Sequence, residues 1–310
     1  MSMPAEYLSY ARRRKGSEHD RYAWTPSRTR TPVRWPNGAN IALWVMPVIE
    51  WFPLNMQVMP FLPHGGLDGA YPDTWGYTHR DYGNRVGIYR IMRVLDRLGI
   101  RATAAVNSSV AIRYPSLIGS IVDRGWEVLA HGRDMAALHH SGLNREEEAR
   151  LIRESLQVLR EASGQPVRGW LSPSNSESWR TPELLVEEGV EYVCDWVNDD
   201  LPFKLSTAGG NLISLPPSHE LTDAYAIYEN GNSTQEYAEQ IIESFRVLYA
   251  EAEAGSARIF SVVLHPWISG QPHRIRAIDQ ALSVIKEFPG VWPATAAEIA
   301  AAYKQSESGD

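Results

Sequence analysis

The chain has 310 residues, of which 44% are hydrophobic and 22% charged, a composition typical of a globular protein with a substantial core. No apolar run approaches the roughly 18 residues that span a bilayer, which excludes a membrane-spanning helix. The formal net charge of −7 argues against nucleic acid as a partner, because binding to phosphates needs a basic surface.

The cysteine content limits the redox and metal chemistry of the chain. Cys194 is the single cysteine, which excludes an intramolecular disulfide and a multi-cysteine zinc site. The basic run at residues 12–15 is followed by Gly-Ser-Glu-His-Asp and not by an apolar stretch, so an export signal is not expected. We therefore expect a cytoplasmic protein.

The periodicity of apolar residues divides the chain into three parts. Residues 1–38 lack periodicity and are rich in Arg, Ser, Thr and Pro, which predicts an extended N-terminal arm. Residues 39–303 alternate short apolar runs with amphipathic stretches, and residues 304–310 are expected to be a disordered tail. The predicted strands are 41–46, 102–106, 126–130, 167–171, 190–195, 212–215, 259–264 and 291–292. The predicted helices are 86–98, 115–124, 145–162, 182–188, 234–252, 275–287 and a last one ending at Tyr303.

This alternation predicts an α/β fold. No Gly-x-Gly-x-x-Gly follows the first strand, which argues against a doubly wound dinucleotide-binding sheet. We expect a distorted (β/α) barrel of roughly seven strands in one domain. The segment 50–83 is rich in Pro, Gly and aromatic residues and is predicted to form a loop over the barrel mouth.

Polar residues follow several of the predicted strands, where barrel enzymes place their active sites. Glu50, His131 and His265 follow the first, the third and a late strand, and Asp199 and Asp200 come after the fifth. One of these aspartates could orient a histidine, or the pair could serve a turn. Arg85, just before a helix, could anchor a substrate or form a structural ion pair.

Five short segments occur in an order that resembles the polysaccharide deacetylase (NodB-homology) superfamily. They are residues 81–87, 130–134, 169–173, 199–202 and 264–266. Within the superfamily, the resemblance is closest to the branch of cofactor-independent allantoinases and cyclic imide hydrolase-like proteins, and it covers roughly residues 38–300. It implies a distorted seven-stranded barrel and hydrolysis of a carbon–nitrogen bond in an amide.

The chain departs from the superfamily at the metal site. Typical members hold a divalent ion with an aspartate after the first strand and two histidines one helical turn apart after the third. Here the matching positions are Glu50, His131 and Met135. A thioether is a poor ligand for such an ion, and Asp134 and His139 do not have the family spacing. We expect no metal; the alternative is one divalent ion such as zinc.

Without a metal, side chains must activate the water and protonate the leaving group. We expect Glu50 to be the base and His265 the acid, while His131 positions the water or stabilises the oxyanion and Asp199 or Asp200 orients a histidine. The residues expected to bind the substrate are Arg85, Ser172, Asn175, Trp196 and Trp267.

The resulting hypothesis is a metal-independent hydrolase of a small cyclic amide, ureide or imide. One alternative is a metal-dependent N-deacetylase of a sugar or polysaccharide, and another is a non-catalytic carbohydrate-binding barrel. The expected partners are a small-molecule substrate and further copies of the chain in a homo-oligomer, with no nucleic acid and no membrane.

Overall fold

The computed structural model describes residues 19–54, 56 and 72–308. Within them, nine strands form one sheet in the order β6-β7-β5-β4-β3-β2-β1-β8, and β9 also pairs with β1. The strands are β1 Ile41–Ile49, β2 Thr103–Val106, β3 Glu127–Ala130, β4 Gly169–Trp170, β5 Tyr192–Val193, β6 Phe203–Thr207, β7 Gly210–Ser214, β8 Arg258–Leu264 and β9 Val291–Pro293.

The helices surround this sheet. They are α1 Thr74–Tyr82, α2 Ile88–Leu98, α3 Ser108–Arg113, α4 Pro115–Val122, α5 Arg145–Ser163, α6 Thr181–Glu187, α7 Thr234–Ala254, α8 Pro266–Ser269, α9 Ile275–Lys286 and α10 Ala296–Ser308. Two π-helical turns, Gly83–Gly87 and Ala224–Glu229, interrupt the regular pattern. No helix among the described residues is both long and apolar enough to cross a membrane.

The pairing of the strands curls the sheet into a half-barrel. Every neighbouring pair is parallel except β6 with β7. β1 runs beside β8 from Ile41 to Pro47, and its other edge meets β9 at the start and β2 at the end. The prediction of a distorted (β/α) barrel is therefore confirmed.

Both faces of β1 are buried, as expected for an interior strand of a parallel sheet covered by helices. Ile41, Leu43 and Val45 pack in the cluster that contains the surrounding helices. Trp44 and Met46, on the opposite face, pack inside the curl with residues of α10 and the end of the N-terminal arm. Because successive side chains point to opposite faces, this strand joins the two halves of the core.

Several local predictions are confirmed and others are wrong. The last predicted helix is present and begins with a capping box, in which Glu298 accepts a hydrogen bond from the backbone N–H of Thr295 at 2.9 Å. It continues to Ser308, so the predicted disordered tail 304–310 is helical as far as 308. The segment 50–83 contains helix α1, which the sequence did not predict; residues 55 and 57–71 of the predicted mouth loop lie outside the described residues.

The described part of the arm contacts the barrel of the same chain. Arg21 forms an ion pair with Glu183, and the indole Nε1 of Trp35 donates to the carbonyl of Arg258 at 2.9 Å. Residues 1–18 of the predicted arm lie outside the described residues.

Candidate active site

Glu50 follows β1 directly and is held from two sides. The side chain of Asn84, in the first π-helical turn, donates to the backbone carbonyl of Glu50 at 2.8 Å. The indole Nε1 of Trp267 in α8 donates to Glu50 Oε2 at 3.3 Å. Only 6% of Glu50 is exposed, so its carboxylate is fixed in a largely water-free position.

The first π-helical turn and helix α8 approach each other very closely. A Cβ atom on Gly83 would lie 2.6 Å from the backbone nitrogen of Trp267, and one on Gly87 would overlap the carbonyl oxygen of Pro266. Glycine is therefore required at both positions. This contact explains how Asn84 and Trp267 reach the same glutamate.

His131 follows β3, and its ring is oriented by a backbone carbonyl. Its Nδ1 lies 2.8 Å from the carbonyl oxygen of Leu171. Because a carbonyl only accepts hydrogen bonds, Nδ1 carries a proton. The opposite ring nitrogen, Nε2, is buried without a hydrogen-bond partner among the described residues and lies 3.8 Å from Glu50 Oε1.

His265 follows β8, and its ring is oriented by a carboxylate. Its Nδ1 lies 2.6 Å from Oδ1 of the fully buried Asp223. Asp223 also accepts from the backbone N–H of His265 at 2.8 and 3.0 Å and from the hydroxyl of Ser269 at 2.6 Å. The Nε2 atom of His265 lies 3.9 Å from Glu50 Oε1.

The side chains of Glu50 and His265 both have shifted pKa values. Burial alone would raise the pKa of Glu50, but the charge of His265, the proximity of His131 and the bond from Trp267 outweigh it and lower the pKa below 4.5. Burial alone would lower the pKa of His265, but the charges of Asp223 and Glu50 and the hydrogen bond to Asp223 raise it from 6.5 to about 9. At neutral pH, a carboxylate therefore faces an imidazolium.

Glu50, His131 and His265 form the buried end of a cavity of about 90 Å³. Its walls are apolar and include Met46, Val48, Leu171 and Val263. Its rim carries four exposed polar residues, Ser174, Asn175, His219 and Glu229. The cavity has space for a few water-sized groups. Its volume is therefore comparable to that of a small ring compound.

The divalent metal implied by the superfamily resemblance does not fit the described residues. Met135 lines the cavity at the position of the missing histidine. Asp134 is occupied with the backbone N–H of Ala136 at 3.0 Å and with Arg133 at 3.1 Å, and His139 faces Glu148 at 3.5 Å. In the part of the chain that the structure describes, no group of three or more His, Cys, Asp and Glu is arranged as a metal site.

The expectation that Asp199 or Asp200 orients a histidine is wrong. Asp199 forms an ion pair with Arg30 of the arm. Asp200 is exposed, and its carbonyl accepts from Ile259 at the start of β8, which is the opposite end of that strand from His265. The orienting acid is Asp223, which stands in none of the segments that carried the resemblance.

The residues expected to bind the substrate separate into different groups. Asn175 lines the cavity. Trp267 does not line the cavity; it donates a hydrogen bond to Glu50, the expected base. Arg85 is exposed on the π-helical turn and is not part of the cavity lining, which contradicts the idea of a substrate anchor. Trp196 packs against Tyr22 of the arm, with ring centroids 5.7 Å apart, and does not line the cavity.

Ser172 also lies behind the cavity wall. Its hydroxyl donates to Asp195 Oδ2 at 2.7 Å and accepts from the indole of Trp170 at 2.9 Å. Its backbone N–H donates to Asp195 Oδ1 at 2.6 Å. These bonds fix the turn that contains Leu171, the residue whose carbonyl orients His131. Ser172 therefore supports the site and does not line it.

Comparison with known proteins identifies the same fold. Residues 76–193 match the polysaccharide deacetylase family. A Schizosaccharomyces pombe protein named "Putative polysaccharide deacetylase" is 25% identical over 239 residues, covering 72% of this chain and 74% of that protein.

Solved structures agree with this assignment. The crystal structure of Puue allantoinase superposes with a TM-score of 0.80 at 24% identity, covering 89% of this chain and 95% of the other. A structure described as a probable polysaccharide deacetylase from Pseudomonas aeruginosa PAO1 gives 0.79 at 24% identity, with the same coverages of 89% and 95%. Over residues 76–193 the chain is therefore similar to the polysaccharide deacetylase family, and it shares its fold with the solved structures of an allantoinase and a probable polysaccharide deacetylase.

Proposed function

We propose that this protein hydrolyses a carbon–nitrogen bond in a small cyclic amide, ureide or imide and that it uses side chains without a metal ion. The observation that carries the proposal is the position of Glu50 Oε1, 3.8 Å from His131 Nε2 and 3.9 Å from His265 Nε2. A base, a hydrogen-bond acceptor for water and a proton donor therefore converge on one point.

In the first step, Glu50 acts as the general base. A water molecule between Glu50 and His131 donates one hydrogen to the carboxylate and the other to Nε2 of His131, since the ring proton is held on Nδ1 by the carbonyl of Leu171. Its oxygen lone pair is then directed at the substrate carbonyl. Glu50 takes the first proton as the carbon–oxygen bond forms, and the carbonyl becomes a tetrahedral oxyanion.

In the second step, His265 acts as the general acid. Its pKa of about 9 keeps Nε2 protonated at neutral pH, and Asp223 holds the ring with that nitrogen toward Glu50. When the carbon–nitrogen bond breaks, Nε2 donates its proton to the leaving nitrogen. Ring opening leaves the new carboxyl group and the freed nitrogen in one product, and transfer of the proton from Glu50 to His265 restores the enzyme.

The size and the lining of the cavity favour a small ring over a polymer as the substrate. Its volume of about 90 Å³ and its apolar walls suit one flat small ring, and a ureide or imide nitrogen is a better leaving group than the nitrogen of an N-acetyl sugar. The similarity of the fold to allantoinase agrees with this choice. We extend the substrate class of that enzyme to this chain as part of the proposal.

The proposal is tested by measuring hydrolysis of allantoin, hydantoin, succinimide and an N-acetylated sugar, with and without a chelator. We expect turnover of at least one ring compound, insensitivity to the chelator, and loss of that activity in Glu50→Gln. Stoichiometric zinc together with chelator-sensitive deacetylation of the sugar would instead establish a metal-dependent N-deacetylase. Saturable carbohydrate binding without turnover would establish a non-catalytic barrel.

A further inference from the structure

The indole of Trp267 determines how the carboxylate of Glu50 is turned. Its Nε1 donates to Oε2 of Glu50 at 3.3 Å, whereas the other oxygen, Oε1, faces the Nε2 atoms of the two site histidines. The last torsion of a glutamate side chain has only broad minima, so the bond to Oε2 is needed to keep Oε1 in its direction. The position of the indole therefore matters for the base, although Trp267 does not line the cavity.

We infer that His79 and Tyr228 are positioning residues for the base and that they act by clamping the indole of Trp267. The Nε2 atom of His79 lies 2.9 Å from the hydroxyl oxygen of Tyr228, within hydrogen-bond distance. Both rings also contact the indole edge to face, with centroids 5.5 Å away for His79 and 5.0 Å away for Tyr228. The inference rests on the proposed function, because it assigns these residues to the base of that reaction.

The two members of this clamp come from distant parts of the chain. His79 lies in α1, which leads directly into the π-helical turn that contains Asn84. Tyr228 lies in the second π-helical turn, which follows Asp223 directly. The bond between His79 and Tyr228 spans 149 residues of sequence. It therefore ties the segment that holds the backbone of the base to the segment that orients the acid.

The ring of His79 is also held on its outer side. Trp75, which is 65% exposed, stacks on it with ring centroids 5.5 Å apart and planes 5° from parallel. Burial, together with the charges of Arg80 and Arg274, lowers the pKa of His79, so the imidazole is neutral at neutral pH. A neutral imidazole can make the bond to Tyr228 through Nε2 in either tautomer. The clamp therefore holds the indole without adding a charge beside the site.

The first test removes the bond and keeps both rings. Tyr228→Phe and His79→Phe should each lower kcat on the ring compound that is turned over by about 3- to 10-fold, the loss expected for one hydrogen bond. KM should stay within about 2-fold, because neither residue lines the cavity. Tyr114→Phe is the matched control, since it removes a tyrosine hydroxyl that donates to Asp81 of the same helix at 2.7 Å. It should leave kcat unchanged.

A double substitution separates positioning through the indole from a general structural role. Trp267→Phe keeps an aromatic ring but removes the N–H, and it should lower kcat by about 10- to 100-fold, because a hydrogen bond to a charged group is lost. In this background, Tyr228→Phe should have no further effect on kcat, since the clamp acts through the missing N–H. A loss of the same size in both backgrounds would overturn the inference.

A spectroscopic measurement distinguishes failure of the clamp from failure of the proposed function. Protein grown with 5-fluorotryptophan carries eleven labelled residues, and the fluorine signal of Trp267 is the one absent from Trp267→Phe. Tyr228→Phe and His79→Phe should shift or broaden this signal, whereas Tyr114→Phe should leave it in place. If no ring compound is turned over, the proposed function fails, and the signal alone decides whether the clamp holds the indole. An unchanged signal and an unchanged kcat in both clamp variants would refute the inference while leaving the hydrolase proposal intact.

Discussion

The contact between Asp223 and His265 predicts a large and directional change in pH dependence. Asp223→Asn preserves the shape of the buried side chain but removes the charge that does most to raise the pKa of His265 to about 9. Without it, burial dominates, and the pKa of His265 should return to its ordinary 6.5 or below.

The magnitude follows from the two titration curves. At pH 8, an imidazole with a pKa near 9 is about 90% protonated, whereas one with a pKa of 6.5 is about 3% protonated. If His265 is the acid, Asp223→Asn should therefore lose at least about 30-fold in kcat/KM at pH 8. The loss should be much smaller near pH 5.5, where both forms are protonated.

The same substitution should change the pH dependence of stability. Because the pKa of His265 is raised in the folded protein, its contribution to the free energy of unfolding is complete below pH 6.5. It is lost as the pH rises through about 9. The shift corresponds to roughly 3 kcal/mol. Thermal unfolding across this pH range should show the decline in the wild type and not in Asp223→Asn.

The assay is the pH profile of kcat/KM on whichever ring compound is turned over. Ser269→Ala is the matched control, because it removes a 2.6 Å hydrogen bond to Asp223 without removing the charge. It should keep the alkaline limb near pH 9. If Asp223→Asn folds and also keeps the wild-type alkaline limb, His265 is not the group that must be protonated, and the assignment of the acid is refuted.

Four further predictions concern Glu50, Asp199 and Glu127. Glu50→Gln should lower kcat by a factor on the order of 10² to 10⁴ without loss of the folded state, as far-UV circular dichroism would verify. In the wild type, the acid limb of the rate profile should lie below pH 4.5, because the pKa of Glu50 is lowered; a limb near neutrality would contradict Glu50 as the base. Asp199→Asn breaks the ion pair with Arg30 and should leave kcat within about two-fold, since a partly exposed pair contributes little; a large kcat loss would return Asp199 to the site. Glu127 has a pKa raised to about 7, chiefly by burial, so its contribution to stability declines as the pH rises from 4.5 through 7, and the melting temperature of Glu127→Gln should depend less on pH in that range.

The parts of the fold that the sequence predicted are those determined by local patterns. Gly99 and Gly164 follow predicted helices and adopt left-handed conformations with φ of 64° and 67°, as C-terminal caps do. By contrast, α1 was not predicted because its residues, TWGYTHRDY, do not have the clear apolar periodicity of an amphipathic helix. Its position is set by packing of the adjacent π-helical turn against α8, which no local pattern records.

The residues of the candidate site also fall into those that the sequence pattern identified and those that it did not. Glu50, His131 and His265 could be found because each directly follows a buried strand, and the carboxyl ends of parallel strands meet at one end of a barrel. Asp223 could not, since it follows no strand directly and lies 42 residues from its partner. The aspartates at 199 and 200 were favoured because they follow a strand in sequence, but that strand, β5, ends at Val193, and the chain has left the site before it reaches them.

The roles of the two histidines are set by what each ring nitrogen touches and not by the histidines themselves. The Nδ1 atom of His131 faces a carbonyl, which fixes its proton without adding a charge. The Nδ1 atom of His265 faces a buried carboxylate, which favours the imidazolium. Both Nε2 atoms flank the same oxygen of Glu50 at nearly equal distances. In the proposed mechanism, this difference therefore assigns the two steps: water is activated on the side of His131, and the leaving nitrogen is protonated on the side of His265.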